Sequence, residues 1–155
     1  MKKLLLLLLI LAAGFAGCKK SSESCETVTV TAPAEEVNRV QDYLYTRGIE
    51  AIKDNRGFFY RISKPGTGSR PTICSTVTVN YSGSLTSGSE FDAASNISFG
   101  LGQLITGWQE GIPLISKGGS ITLYLPPSLA YGSQTNGNIP ANSILIFNID
   151  LVDVQ

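Results

Sequence analysis

Val77 to Asp92 reads VTVNYSGSLTSGSEFD, and the order of its side chains decides the fold. Val77, Val79 and Tyr81 alternate with Thr78, Asn80 and Ser82, the two-residue period of a half-buried strand. Gly83 and Leu85 continue the apolar face, and Thr86-Ser87-Gly88-Ser89 supplies the residues of a turn. The chain then places an aromatic and a carboxylate side by side, Phe91-Asp92. A carboxylate next to a core aromatic is costly to bury without a partner, so Asp92 marks a place where chemistry rather than packing is expected.

Outward from this stretch the chain is rich in strands. Phe58 to Ser63 follows Ile49 to Lys53 across Asp54-Asn55-Arg56-Gly57, as a hairpin or as two successive edge strands. After Asp92 the reading is a loop and then a short alternating piece, Ile97-Ser98-Phe99. Trp108 to Leu114, between Gly107 and Gly118-Gly119, is the one short helix expected of the core, and Pro113 is tolerated because that helix is ending. Ile121, Leu123 and Leu125 turn inward from a strand that Pro126-Pro127 stops, with Thr122 and Tyr124 on its other face. Ser143 to Val154 is a final long strand with Leu145, Phe147, Ile149 and Leu151 on one side. Runs of strands with a single short core helix define an α+β class with a mostly antiparallel sheet.

The amino-terminal third has a different character. Lys2-Lys3, the apolar run Leu4 to Ala13 and the small residues of Gly14-Phe15-Ala16-Gly17 read as a secretion signal over residues 1–17. The run is too short to span a bilayer comfortably. Phe15-Ala16-Gly17-Cys18 resembles the bacterial lipobox, with Phe15 where an aliphatic residue is usual, and the resemblance implies acylation of Cys18. An ordinary signal peptide with an incidental cysteine is the alternative. Residues 18–32 then form a tether, polar from Lys19 to Thr27, with a short β-prone run from Val28 to Ala32. Pro33 opens a helix with Glu35 and Glu36 at its positive end; Val37, Val40 and Tyr43 or Leu44 form its stripe, and Gly48 ends it. That helical extension is assigned to residues 33–56, its stripe packing on the domain's flank or serving an oligomer contact. Two cysteines remain, Cys25 and Cys74. In an exported chain they can form one disulfide, closing a loop of about 50 residues, or stay as two free thiols.

Composition removes several functions. Twelve basic and twelve acidic groups give a formal charge of zero, without the basic patch that nucleic acid requires. Histidine is absent, which excludes a Ser-His-Asp triad and argues against zinc. Counting acids does not exclude the paired carboxylates of glycosidase chemistry, but no apt pair is evident in the sequence. Gly66-Thr67-Gly68 lacks the Gly-Lys-Ser and helix start of a phosphate loop. Neither a metal nor a cofactor is expected.

One ordered set of motifs is more specific. Tyr81-Ser82-Gly83-x-Leu85, Phe91-Asp92, Phe99-x-Leu101-Gly102, Gly107-Trp108-x-Glu110-Gly111, Leu129-Ala130-Tyr131-Gly132, Ile139-Pro140 and Leu145-x-Phe147 resemble the FKBP-type peptidyl-prolyl isomerases. The resemblance covers 57–155, taken as the isomerase domain. It implies a bent sheet wrapped around the short helix, with a pocket between them. It further implies that Tyr81, Phe91, Trp108 and Phe147 hold a proline ring, that Leu104 and Ile105 add aliphatic wall, and that Ile139 closes the loop side. The Ile105 N–H and the Tyr131 hydroxyl are the implied donors to substrate, and Asp92 the acceptor that orients the polar rim. Ile97 and Asn138 depart from the family at that rim, which bears on substrate preference and on macrolide inhibitors, the family's other partners. Without the resemblance, the four aromatics read as ordinary core packing.

The function that follows is a lipid-anchored, monomeric prolyl isomerase of the cell envelope, acting on proline-containing polypeptides. A non-catalytic proline-binding chaperone or docking lipoprotein, or a glycan-binding surface lipoprotein, are the competing readings. If Cys18 is acylated, Cys18→Ser is expected to move the protein from the membrane to the soluble fraction and abolish lipid labelling. Labelling that survives the substitution would refute the lipobox reading.

Overall fold

The structure, a computed structural model, describes Cys25 and residues 29–155. The expected signal segment, Cys18 and residues 19–24 and 26–28 of the tether lie outside the described residues.

Helix α1 spans Ala34–Thr46, begins behind Pro33 and carries Glu35 and Glu36 in its first turn. It ends where Gly48 takes a φ of +64°, with the Ile49 N–H on the Leu44 carbonyl at 2.9 Å and the Gly48 N–H on the Tyr45 carbonyl at 3.1 Å. Those two bonds are a Schellman stop, and only a residue without a β-carbon enters it without strain. Val37, Val40 and Leu44 are the buried stripe. Residues 29–32 form no strand, contrary to the β-prone reading; their backbone contact is the Ala32 N–H on the Arg56 carbonyl at 2.8 Å.

Six strands follow: β1 (Ile52–Lys53), β2 (Phe59–Lys64), β3 (Thr76–Leu85), β4 (Glu90–Gly100), β5 (Ser120–Leu125) and β6 (Leu145–Val154). They make one antiparallel sheet in the order β1-β2-β5-β6-β3-β4. The sheet therefore starts at Ile52, inside the segment assigned to the helical extension.

Where a loop and a short strand were expected after Asp92, β4 runs unbroken from Glu90 to Gly100. It does so because it absorbs an extra residue. The register steps from Val79↔Ile97 to Tyr81↔Ala94, and Asn96 sits in the step at φ 53° with its N–H on the Asn80 side-chain oxygen at 2.8 Å. Asn is one of the few residues that accept this conformation, and its neighbour supplies the lost ladder bond. A second slip, from Gly83↔Asp92 to Ser84↔Glu90, falls at Phe91, immediately before Asp92. Adjacent residues of a regular strand point to opposite faces. Here both Phe91 and Asp92 reach partners around the pocket.

Helix α2 (Thr106–Gly111) starts two residues before Trp108, and Ile112–Leu114 continues it as a single 3₁₀ turn that accommodates Pro113. It lies very close to β5. A β-carbon on Gly107 would stand 2.5 Å from the Leu125 δ-carbons, and one on Gly111 2.6 Å from those of Leu123. Tyr124, assigned to the outer face of β5, is nonetheless buried. Glu110, which spacing alone would leave on a solvated face, forms an ion pair with Arg56 at 3.1 Å, tying α2 to the turn before β2.

Cys25 and Cys74 are joined, with 5.4 Å between their α-carbons. The bond closes a loop with a sequence separation of 49, for which the chain-entropy relation gives roughly 4 kcal/mol. Urea unfolding of the oxidised protein and of the Cys25→Ser/Cys74→Ser variant should differ by about that much. Equal midpoints would mean that the link adds nothing to stability.

Candidate active site

The site is assembled around Trp108. This residue is on α2, and its ring is presented to the sheet because Gly107 and Gly111 let the helix settle onto the β5 leucines. Three aromatic neighbours meet it edge to face. Tyr81 of β3 is 5.1 Å away at 84°, Phe147 of β6 is 5.2 Å away at 89°, and Phe99 of β4 is 6.3 Å away at 83°. Edge-to-face contact sets positive ring edges against negative faces, a geometry that holds ring orientation as well as burying area. The result is a cup of about 170 Å³ lined by Tyr81, Asp92, Phe99, Leu104, Ile105, Trp108, Tyr131 and Phe147.

Seven of the nine residues named from the sequence as catalytic or substrate-binding are in that lining, and two are not. Phe91 is partly exposed, and its ring meets Phe147 edge to face at 5.6 Å. Gly83 makes that possible, since a β-carbon there would come within 2.6 Å of the Phe91 ring and 2.8 Å of Phe147. Ile139 is buried in the core, drawn in by its paired backbone bonds with Asn136 at 2.9 and 3.0 Å. The lining residue that the site assignment missed is Phe99. Its signal was present, because Phe99 pairs directly with Val77 across the sheet and so shares the inner face. Ile97 and Asn138, the two departures from the family pattern, are both exposed.

The polar side of the cup is a tyrosine–carboxylate pair. The Tyr81 hydroxyl donates to Asp92 Oδ2 at 2.6 Å, a short charge-assisted bond. Burial, and then the Asp92 hydrogen bond and charge, push the Tyr81 phenol up to about 12. Tyr131 is 39% exposed, and its phenol is also raised, by burial and then by the Asp92 charge. Both hydroxyls thus keep their protons through the neutral range. Tyr81 uses its proton to hold Asp92 in place, and Tyr131 is a half-exposed member of the lining.

The geometry agrees with comparisons to known proteins. A family model described as FKBP-type peptidyl-prolyl cis-trans isomerase matches residues 68–152. FkpA of Buchnera aphidicola subsp. Schizaphis graminum, an FKBP-type peptidyl-prolyl cis-trans isomerase, is 42% identical over 131 residues, covering 79% of this chain and 52% of its own. FkpA of Escherichia coli is 44% identical over 103 residues, covering 64% of this chain and 38% of its own. The crystal structure of the Escherichia coli protein superposes with a TM-score of 0.72 at 38% identity, covering 79% of this chain and 60% of that one. A peptidyl-prolyl cis-trans isomerase from Pseudomonas syringae superposes at 0.69 with 26% identity, covering 82% and 99%. The chain belongs to the FKBP-type peptidyl-prolyl cis-trans isomerase family. It spans about half the length, or less, of these two curated relatives.

The raised phenol gives the site a measurable signature. A group that holds its proton more tightly when folded stabilises the fold fully below its ordinary value of 10.0, and loses that contribution as pH climbs through about 12. Tyrosinate absorbance should therefore show a late-ionising component. Asp92→Asn should lower its midpoint while leaving it above the ordinary value, because burial is the larger cause. An unchanged midpoint would show that the carboxylate does not contribute.

Proposed function

We propose that this chain is a peptidyl-prolyl isomerase that turns Xaa-Pro bonds of polypeptides within the aromatic cup. The observation that carries the reading is the closed constellation of Trp108 with Tyr81, Phe99 and Phe147, and a tyrosine-held carboxylate at its rim.

No covalent bond changes in this reaction. The barrier comes from the partial double-bond character of the amide, about 18–20 kcal/mol for peptide bonds in general. Planarity rests on a charge-separated resonance form that water stabilises. A ring seated against Trp108 exchanges water for aromatic surface, which disfavours the planar amide relative to the less polar twisted one. Donors at the mouth, the Tyr131 hydroxyl and the Ile105 N–H, then hold the flanking chain while the amide rotates. Asp92 favours the twisted state through polar contacts that strengthen as the bond leaves planarity. A cup of about 170 Å³ suits a single small ring, below the roughly 300–1,000 Å³ of typical drug-sized sites. A macrolide would accordingly be held mostly outside it, against rim positions such as Ile97 and Asn138.

The sequence supports an exported, envelope-located protein: a signal over residues 1–17, a lipid on Cys18, a short tether, and a domain acting as a monomer on folding polypeptides. The Cys25–Cys74 disulfide fits an oxidising compartment.

Isomerisation of a short Xaa-Pro peptide, followed by NMR exchange beside calorimetric binding, tests the central claim. The wild type should accelerate exchange. Asp92→Ala should reduce turnover roughly tenfold to hundredfold, the worth of a charge-assisted hydrogen bond, with a smaller effect on binding. Phe91→Ala should weaken both together, by releasing Phe147. A wild-type rate equal to the uncatalysed one would overturn the assignment.

A further inference from the structure

We infer that Gln109 is a positioning residue for the reaction, because it fixes the peptide unit whose N–H faces the substrate; the inference rests on the isomerase reading. Gln109 is 7% exposed, the one buried polar residue among those described. Its side chain folds back over the turn that precedes its own helix. Nε2 donates to the Leu104 carbonyl at 2.6 Å and to the Gly102 carbonyl at 3.2 Å. Two N–H groups meet two carbonyls, which also fixes which end of the amide is nitrogen.

The consequence follows from peptide geometry. The Leu104 carbonyl and the Ile105 N–H belong to one planar trans unit, so they point in opposite directions. With the carbonyl drawn to a buried amide, the N–H is turned away from the interior. Ile105 and Leu104 both line the cup, so the side away from Gln109 is the substrate's side. Among the described residues no backbone carbonyl accepts the Ile105 N–H, whereas the Ile105 carbonyl is taken by the N–H groups of Trp108 and Gln109 at 2.9 and 3.2 Å. The donor is thus held, aimed and left open. The Gly102 bond extends the clamp to the 3₁₀ turn Leu101–Gln103, which the Ser75 carbonyl holds from the other side through the Leu101 N–H at 2.9 Å. Loss of the Gln109 donors would free the Leu104–Ile105 unit to rotate, while the aromatic cup stayed in place.

Gln109→Met keeps the length of the side chain and removes both donors. The test follows the backbone amide signal of Ile105 and the indole signal of Trp108 while an Xaa-Pro peptide is titrated, with turnover measured in parallel. In the wild type both signals should move. In Gln109→Met the indole should still respond, the Ile105 response should fall by half or more, and turnover should drop roughly threefold to tenfold, the worth of one neutral hydrogen bond. Glu110→Gln, which loses the Arg56 ion pair from the same helix, should lower the melting temperature and leave the Ile105 response intact. A Gln109→Met protein with wild-type turnover and an unaltered Ile105 response overturns the inference. Should that variant fail to fold, the wild type alone decides: isomerisation with an unmoved Ile105 amide overturns this role and spares the enzyme. A wild type that neither binds nor isomerises overturns both.

Discussion

Everything at the site depends on how closely a six-residue helix can approach a strand. Helices and sheets ordinarily keep a layer of side chains between their backbones. Gly107 and Gly111 remove that layer along one edge of α2, and Leu123 and Leu125 occupy the vacated space. The two glycines are four residues apart, on one face of the helix, so the close approach is continuous. Only then does Trp108 reach Tyr81, Phe99 and Phe147 at once, each from a different strand. The tryptophan is at once the floor of the cup and the piece that locks the helix to the sheet. Trp108 and Phe147 belong to the cup's lining and to the hydrophobic core at once, so the cup needs no large domain around it.

The sequence made the sheet's main strands legible because the alternation in Val77 to Leu85 and Leu145 to Leu151 is regular. It was silent where regularity was broken on purpose. Asn96 reads as a loop residue, yet its left-handed backbone is what lets β4 continue past the register slip. Tyr124 reads as outward-facing, since alternation cannot reveal that burial extends to the other side of a strand. Most of the cup was legible through the resemblance, and Asp92 through its odd company. Phe91 and Ile139, which the resemblance assigns to the pocket, are not among the residues that line the cup. A family motif names residues that matter to a pocket without separating those that touch its contents from those that support its walls. The partners of Glu110 and Gln109 were not legible at all. Their meaning lies in Arg56 and in two backbone carbonyls, neither of which can be deduced from spacing along a helix.

The polar half of the site follows a consistent logic. Tyr81 and Tyr131 both hold their protons more tightly than free phenols; the Tyr81 proton is spent on Asp92, and the Tyr131 phenol feels the same carboxylate through its charge. Asp92 is exposed at the edge of the cup, so water can reach it, and the tyrosine bond satisfies one of its carboxylate oxygens from within the protein and holds its orientation.

The link between Cys25 and Cys74 also settles where mechanical load enters the domain. A pull on the amino-terminal residues passes through sulfur directly to Cys74, two residues before β3, and bypasses the chain between. Helix α1 and strands β1 and β2 lie within that bypassed loop and carry no tension. The strand that does bear it is flanked on both sides, by β4 and by β6, so force along it must shear two ladders together instead of peeling one open. A pull on the amino terminus therefore reaches the doubly flanked strand β3 before it can reach α1, β1 or β2.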